Sequence, residues 1–255
     1  MTLWVRFGRN GIAGFGTLMN DIVHVHSGEM FSNPIATGEE LPLGAVTILT
    51  PTLPSKFIGL WNNFHAVAQK QGHAIPTEPL YFIKGANSYL AHGQAIRRPS
   101  SYEGKIVYEG ELGIVIGWRT YDVEPDAADR HIFGYTCIND VTALDLIQRD
   151  PSFAQWTRAK SFDTFGAFGP VVATGLEPAQ LVIRTVINGR ERQNYPASDM
   201  IFDVKSLVSA ISRELTLEPG DVIACGTSLG VGVLRPGTIV EVAIDGIGTL
   251  KNTVE

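Results

Sequence analysis

The segment Val107–Ile116 (VYEGELGIVI) constrains the fold most, because it places two carboxylates two residues apart in an otherwise apolar run. Such a run is typical of a buried β-strand, in which side chains alternate between two faces. Glu109 and Glu111 are therefore predicted to point to the same face. Two buried like charges repel each other, and one of them protonates unless a cation lies between them. The pair alone leaves a second possibility open, an exposed strand with a solvated acidic face.

A third carboxylate follows downstream in the segment 134–141 (GYTCINDV), where Asp140 ends another apolar run. Carboxylate oxygens are the hard ligands that Mg²⁺, Mn²⁺ and Ca²⁺ prefer. The sequence therefore offers Glu109, Glu111 and Asp140 as candidate ligands of one divalent cation.

The charge of the chain narrows the class of partner. The 255 residues are 44% hydrophobic, carry a net charge of -6 and contain no run rich in Lys or Arg. A core is easily formed at this length, whereas nucleic acid and membrane surfaces are not expected as partners. A small anionic substrate would need local positive charge, from a metal ion or from a few Lys and Arg side chains.

The two cysteines indicate a reducing compartment. Cys137 and Cys225 both lie in apolar, strand-like runs without the spacing of a zinc site, so we expect buried free thiols. The first residues lack the apolar stretch and cleavage site of a secretion signal, and no apolar run approaches the length of about 18 residues needed to span a membrane. We therefore expect a cytoplasmic protein.

Two domains are predicted, a small β-rich domain over residues 1–52 and a catalytic domain over 53–255. The first part has short alternating segments such as 3–7 and 22–26, which indicate β-hairpins. Two prolines in the segment 51–56 indicate a linker.

The second part contains many short strands and few helices, which favours an α+β, mainly β fold over a doubly wound sheet. A hairpin is predicted at 181–193, because Asn188-Gly189 fits a type I′ turn. A Gly-rich loop is predicted at 160–170. Further strands are predicted at 56–61, 80–84, 107–116, 171–173, 222–227 and 238–244, the last as the closing strand. Helices are predicted at 62–72, with Asn62 or Asn63 as its cap, at 141–148 and at 202–215.

Five sequence blocks in the range 56–249 resemble the catalytic domain of the fumarylacetoacetate hydrolase family, in the order that this family has them. The blocks are Glu109–Leu112 (EGEL), Asn139–Ala143 (NDVTA), Lys160–Gly166 (KSFDTFG), Ser198–Phe202 (SDMIF) and Leu217–Gly232 (LEPGDVIACGTSLGVG). The resemblance implies a mixed β-sandwich roll with a small N-terminal domain, a homodimer, and a small anionic 2-oxo acid as substrate.

The same resemblance implies roles for individual residues. Glu109, Glu111 and Asp140 would hold one Mg²⁺ or Mn²⁺ ion. Lys160 would be the charged catalytic group beside the substrate, and Thr227 would contact the substrate carboxylate.

Two departures from the family pattern concern the catalytic histidine and the substrate grip. His65 matches the family histidine, but Ala68 stands where many members have the glutamate that pairs with it, so an acid such as Glu78 would have to assist it. Leu144 replaces an arginine that would grip a carboxylate. Arg97 and Arg98 could supply that grip instead, or could be surface residues.

The sequence therefore predicts first a metal-dependent enzyme that hydrolyses a C–C bond of a 2-oxo or 2,4-dioxo acid, either acylpyruvate-like or an aromatic ring-cleavage product. The bound cation would stabilise the enolate that forms when the bond breaks. The alternative is decarboxylation or keto–enol isomerisation of an unsaturated 2-oxo dicarboxylate. A hydratase and a non-catalytic, metal-stabilised binding protein are more distant possibilities.

Overall fold

The computed structural model describes all 255 residues and confirms a mainly β fold, with 45% of the residues in strands and 18% in helices. The three α-helices are α1 (His65–Gln71), α2 (Trp156–Lys160) and α3 (Val204–Glu214). The strands are β1 (Thr2–Arg9), β2 (Ile12–Met19), β3 (Ile22–Glu29), β4 (Asn33–Pro42), β5 (Thr47–Ile48), β6 (Phe57–Trp61), β7 (Leu80–Lys84), β8 (Tyr89–Leu90), β9 (Ala95–Ile96), β10 (Ile106–Tyr108), β11 (Gly110–Ile116), β12 (Ile132–Asp140), β13 (Thr142–Ala143), β14 (Gly166–Thr174), β15 (Val182–Ile187), β16 (Arg190–Pro196), β17 (Val222–Ala224), β18 (Gly232–Val233), β19 (Ile239–Ile244) and β20 (Gly248–Val254).

The strands form three sheets. The largest has twelve strands in the order β4-β3-β2-β1-β14-β12-β11-β17-β6-β7, with β5 and β8 pairing at its side. A five-stranded sheet has the order β16-β15-β19-β20-β9, and a short sheet has the order β13-β10-β18. The strands at the centre of the large sheet are buried on both faces, which explains their nearly continuous apolar sequence.

The N-terminal hairpins are confirmed and are joined directly to the rest of the fold. Strands β1 to β4 form an antiparallel meander, and β1 pairs with β14 from Thr2 opposite Thr174 to Trp4 opposite Val172. The Thr52 hydroxyl donates a buried 2.8 Å hydrogen bond to the Gly220 carbonyl oxygen. The small N-terminal domain therefore extends the large sheet, and the boundary between residues 52 and 53 stays a prediction.

The predicted hairpin at 181–193 is confirmed. Asn188 and Gly189 both have positive φ, 49° and 76°, as a type I′ turn requires. The strand predicted at 238–244 is also present as β19, but it does not close the chain, because β20 follows and pairs with it. The polar alternation of β20 (GTLKNTV) was the signal that the sequence analysis missed.

Three local predictions were wrong. Residues 141–148 form no α-helix, because 142–143 pair as a strand and only 144–146 turn as a 3₁₀-helix. The predicted loop 160–170 ends at residue 165, where β14 begins. The predicted strand 107–116 is two strands, since Glu109 lies between β10 and β11, which belong to different sheets.

Helix α1 begins at His65, so neither of its predicted caps, Asn62 or Asn63, occupies the N-cap position. Phe64 occupies the N-cap position and gives no side-chain cap. The Ala66 N–H instead donates to Asp199 Oδ2 at 3.0 Å. Asn63 donates from Nδ2 to the Cys225 carbonyl oxygen at 2.9 Å, which ties the start of the helix to the segment after β17. The left-handed Gly72 ends the helix, as predicted.

The sequence-based expectations for the cysteines and for helix α3 are confirmed. Cys137 and Cys225 are buried free thiols. None of the helices is both long and apolar enough to cross a membrane. Helix α3 buries Val204, Leu207, Val208 and Ile211 along one face, at the spacing that the sequence predicts.

Replacing Ala68 by glutamate is expected to destabilise the fold. Ala68 is fully buried, and an uncompensated buried carboxylate costs about 3 kcal/mol or more. Since Tm falls by roughly 2 to 4 °C per kcal/mol in chains of this size, calorimetry should show a loss of roughly 6 to 12 °C. The exposed neighbour provides the control: Gln69→Glu should leave Tm within about 2 °C. An unchanged Tm for Ala68→Glu would contradict the packing described here.

Candidate active site

The three predicted carboxylates come together where the large sheet meets the short sheet β13-β10-β18. Glu109 lies in the break between β10 and β11, Glu111 in β11, and Asp140 at the end of β12. One oxygen of each carboxylate lies within 4.8 Å of the others. Glu111 and Asp140 are fully buried. The exposed acidic strand that the sequence left open is therefore excluded.

Backbone pairing fixes this arrangement. Strands β11 and β12 are antiparallel, with Gly110 opposite Asn139. The Asp140 N–H donates to the Glu109 carbonyl oxygen at 2.9 Å, and the Glu109 N–H donates to Asn139 Oδ1 at 3.1 Å. The block Asn139-Asp140 thus holds the strand break in place while it presents its own carboxylate.

Two buried lysines neutralise much of the acidic cluster. Lys160 Nζ lies 2.8 Å from Glu109 Oε2 and 2.6 Å from Asp140 Oδ2. Lys84 Nζ lies 2.5 Å from Asp140 Oδ1 and donates to the Val141 carbonyl oxygen at 3.3 Å. Lys84 ends β7, and the sequence analysis passed over it because it reads as one polar residue at the end of a strand.

Burial and charge shift the protonation equilibria of the cluster in different directions. Burial, and then the negative charges of Asp140 and Glu109, raise the pKa of Glu111 well above its usual range. Burial opposes ionisation of Asp140 too, but Lys160 and Lys84 outweigh it and lower the Asp140 pKa. Burial also works against the Lys160 ammonium, yet the nearby carboxylates raise the Lys160 pKa above its usual value. Asp140 is therefore ionised and Lys160 protonated at neutral pH.

Glu111 shows that the cluster fits a hard cation. Its Oε2 accepts a 2.8 Å hydrogen bond from the Gly226 N–H, while its Oε1 is buried without a partner. An unpaired buried carboxylate oxygen is costly, and a divalent cation would satisfy it. Gly226 has φ +90°, which a residue with a side chain rarely adopts. Glu109, Glu111 and Asp140 are thus the residues that could hold Mg²⁺ or Mn²⁺, through oxygen ligands alone.

A cavity of about 280 Å³ opens onto this cluster. Glu109 and Lys160 lie at its charged end. Its aromatic wall consists of Trp61, Phe82 and Trp156. The rings of Phe82 and Trp156 stack at 5.6 Å and 11°, and Trp61 lies 5.8 Å from Trp156. Lys160 Nζ lies 4.9 Å from the centre of the Phe82 ring, so the wall leads directly to the ammonium group.

Thr227 lines the same cavity, in the segment after β17. Its hydroxyl donates to the Gly110 carbonyl oxygen at 3.0 Å and accepts from Gln193 Nε2 at 2.8 Å. The Tyr195 hydroxyl donates to the same Gly110 carbonyl oxygen. Gln193 and Tyr195 thus hold Thr227 in position, although no motif in the sequence marked them.

Arg97 and Arg98 lie outside the cavity lining. Nε of the exposed Arg97 lies 3.6 Å from Glu255 Oε2. Arg98 Nη1 donates to the carbonyl oxygens of Tyr102 and Gly104. The structure therefore gives Arg98 a loop-bracing contact and brings neither arginine to the carboxylates.

His65 is also absent from the cavity lining. It is exposed at the first position of α1, whereas Val67 and Gln71 of the same helix line the cavity. Glu78 is exposed in the loop after the helix. The histidine that does line the cavity is His73, whose Nε2 lies 2.9 Å from Gln71 Oε1. The sequence analysis missed it because it follows the helix-ending Gly72 and belongs to no motif.

Comparison with known proteins identifies the family. Residues 56–255 match the model of the fumarylacetoacetate (FAA) hydrolase C-terminal domain, and residues 3–51 match an Rv2993c-like N-terminal domain. The chain belongs to the fumarylacetoacetate hydrolase family. The resemblance drawn from the five sequence blocks is thereby confirmed.

Several named members of this family are similar to the chain. Oxaloacetate tautomerase YisK of Bacillus subtilis is 38% identical over 214 residues, which cover 79% of this chain and 70% of that protein. The crystal structure of 2-hydroxyhepta-2,4-diene-1,7-dioate isomerase from Mycobacterium marinum has a TM-score of 0.91 and 35% identity, and covers 100% of this chain and 98% of the other. The crystal structure of fumarylpyruvate hydrolase from Pseudomonas aeruginosa, in complex with Mn²⁺ and pyruvate, has a TM-score of 0.73 and 31% identity. The match covers 79% of this chain and 89% of the other.

The variants Glu111→Gln and Asp140→Asn are expected to weaken Mn²⁺ binding by more than about 100-fold, because even the loss of an outer-shell partner costs 10- to 100-fold. Both keep the shape of the side chain, and the Gln carbonyl can still accept from Gly226. Calorimetric titration is the measurement. The exposed Glu103→Gln should bind as the wild type does. Undiminished affinity in both cluster variants would contradict the assignment of the cation ligands.

Proposed function

We propose that the protein is a metal-dependent keto–enol tautomerase of a 2-oxo acid. In this reaction a proton leaves the enol oxygen and another is added at C3, without cleavage of a C–C bond. The proposal selects one of the alternatives that the sequence left open and sets it ahead of C–C hydrolysis.

The observation that carries the proposal is the cavity face of helix α1. Hydrolysis needs a base that takes a proton from water, and a histidine does this best beside a carboxylate. The cavity side of α1 carries Val67 and Gln71, and neither is ionisable. The positions of the expected dyad lie elsewhere, because neither His65 nor Ala68 lines the cavity and Ala68 is in the core. A cavity with charge stabilisation but no paired base favours proton transfer over activation of water.

The charged end of the cavity suits an enolate. A divalent cation held by the three carboxylates supplies Lewis-acid stabilisation of the negative charge on the substrate oxygens. Lys160 keeps its proton, and two of its three N–H bonds are directed at Glu109 and Asp140. The third remains for a substrate oxygen, so Lys160 acts as a fixed hydrogen-bond donor and not as a base.

His73 is our candidate for the proton transfer at C3. The Gln71 Oε1 atom can only accept, so the contact at 2.9 Å requires the proton on Nε2 of His73. The other ring nitrogen, Nδ1, is not engaged by this contact, so it can take the proton that leaves the enol oxygen and return a proton to C3. The ring is also held against Trp61, with 5.1 Å between the ring centres.

Names of relatives support a tautomerase within this family. Besides YisK, oxaloacetate tautomerase fahd2 of Xenopus laevis is 34% identical over 220 residues. The isomerase from Mycobacterium marinum is likewise named for a reaction without C–C cleavage. The fumarylpyruvate hydrolase keeps hydrolysis as the competing function to be tested.

The test follows the decay of enol absorbance after the enol forms of oxaloacetate and phenylpyruvate are added to the enzyme with Mg²⁺, Mn²⁺ or EDTA. We expect metal-dependent ketonisation faster than in buffer, with no release of pyruvate from oxaloacetate or acetylpyruvate in a coupled assay. Metal-dependent release of pyruvate from acetylpyruvate would favour hydrolysis, and release from oxaloacetate would favour decarboxylation.

The variant His73→Gln is expected to lower the kcat of ketonisation by about 10² to 10⁴, the usual contribution of a positioned general acid–base group. Its matched control is His65→Gln, on the exposed side of the neighbouring helix, which should keep kcat within about twofold. Calorimetric Mn²⁺ affinity should be equal in both variants, because neither touches the carboxylates. Equal kcat in the two variants would rule out His73 as the proton-transfer group.

A further inference from the structure

The formal charge of the buried cluster limits the charge of the ligand that it can accept. Three carboxylates and two ammonium groups, when all are ionised, leave one net negative charge. A divalent cation changes this to one net positive charge. A 2-oxo acid with a single carboxylate then restores neutrality, whereas a dicarboxylate brings a second negative charge that no free cationic side chain of the lining can pair.

The cavity lining offers no free cationic partner to a second carboxylate. Ten of the 18 residues that line the cavity are hydrophobic, and no arginine is among them. The basic groups of the lining are Lys160, already paired with two carboxylates, and His73, whose Nε2 is engaged by Gln71. An apolar group would instead be covered by the aromatic wall and by aliphatic side chains.

Leu144 is part of the apolar lining of this cavity. It begins the 3₁₀ turn 144–146 directly after β13, the strand that continues from Asp140. Its side chain is 43% exposed, lines the cavity and shares it with Ile147 and Trp156. An arginine at this position could turn its guanidinium toward the same space, because the neighbouring solvent gives it room.

We propose that the substrate is a 2-oxo monocarboxylate with an apolar distal group, aryl or branched alkyl, and that Leu144 sets this preference. The proposal rests on the proposed function, since it names the substrate class of the same site. It departs from the dicarboxylates printed in the names of the relatives.

The first test uses ligands that cannot react. Phenylglyoxylate and its para-carboxy derivative are 2-oxo acids without a C3 hydrogen, and they differ by one distal carboxylate. Calorimetry in the presence of Mg²⁺ should give at least about tenfold tighter binding of phenylglyoxylate, because the added carboxylate has no charged partner. Equal or tighter binding of the para-carboxy compound would overturn the proposal.

The second test asks whether a substitution at Leu144 reverses the preference between an apolar and a carboxylate distal group. In wild type, kcat/KM should be at least about tenfold higher for the enol of phenylpyruvate than for the enol of oxaloacetate. Leu144→Arg should reverse the order of the two inert ligands and raise the relative kcat/KM for oxaloacetate, since a guanidinium grips a carboxylate in a bidentate manner. Leu53→Arg, an exposed leucine outside this cavity, should change neither.

These outcomes separate the two proposals. If neither enol is ketonised faster than in buffer, the tautomerase function fails, while the inert pair still decides the distal group. If both enols react but oxaloacetate is preferred in wild type, the tautomerase function stands and the apolar substrate class is wrong. An unchanged preference in Leu144→Arg would exclude Leu144 as the residue that sets it.

Discussion

The buried ion-pair cluster of Glu109, Asp140, Lys160 and Lys84 is the interaction on which the site depends. Breaking one member of such a group would leave the others charged and unpaired in the core. The strand break at Glu109 helps to place this residue in the cluster. A continuous strand would keep Glu109 in the large sheet, whereas the break joins β10 to the short sheet and β11 to the large one, so that the charged residues lie where the sheets meet.

The two lysines differ in their access to the cavity, so only one of them can contact a ligand. Lys84 is closed off from the cavity and contacts Asp140 and a backbone oxygen, so it neutralises charge without access to a ligand. Lys160 lies at the cavity end of α2 and keeps one N–H free of the carboxylates. Glu111 receives neither lysine, and its unpaired Oε1 is the oxygen that most requires a cation. A divalent ion would therefore bind the oxygen that the lysines leave unpaired, and would not need to displace either lysine.

The sequence predicted those parts that leave a local pattern. Alternation and turn residues identified the N-terminal meander and the Asn188-Gly189 hairpin, and the spacing of Glu109 and Glu111 with the Asp140 block identified the carboxylate cluster. His73 was missed because it belongs to no motif, and Lys84 and Gln193 were missed since their contacts join segments far apart in the chain. The wrong helix at 141–148 has the same origin. Thr142 and Ala143 pair with β10 as a strand, and helical periodicity in the sequence cannot reveal this pairing.

Helix geometry explains why His65, which matches the family histidine in residue type, does not line the cavity. Successive residues of an α-helix are about 100° apart, so Val67 and Gln71 lie within about 40° of each other while His65 lies about 200° from Val67. The cavity contains the first two, and His65 accordingly faces solvent. Ala68, about 100° further round than Val67, turns into the core. An acid–base pair at 65 and 68 could not meet a ligand beside the carboxylates without rotating the helix, and Asn63 and Asp199 fix its start. In the proposed reaction, proton transfer would therefore fall to a residue beyond the helix, while the face of α1 toward the cavity contributes shape and apolar surface.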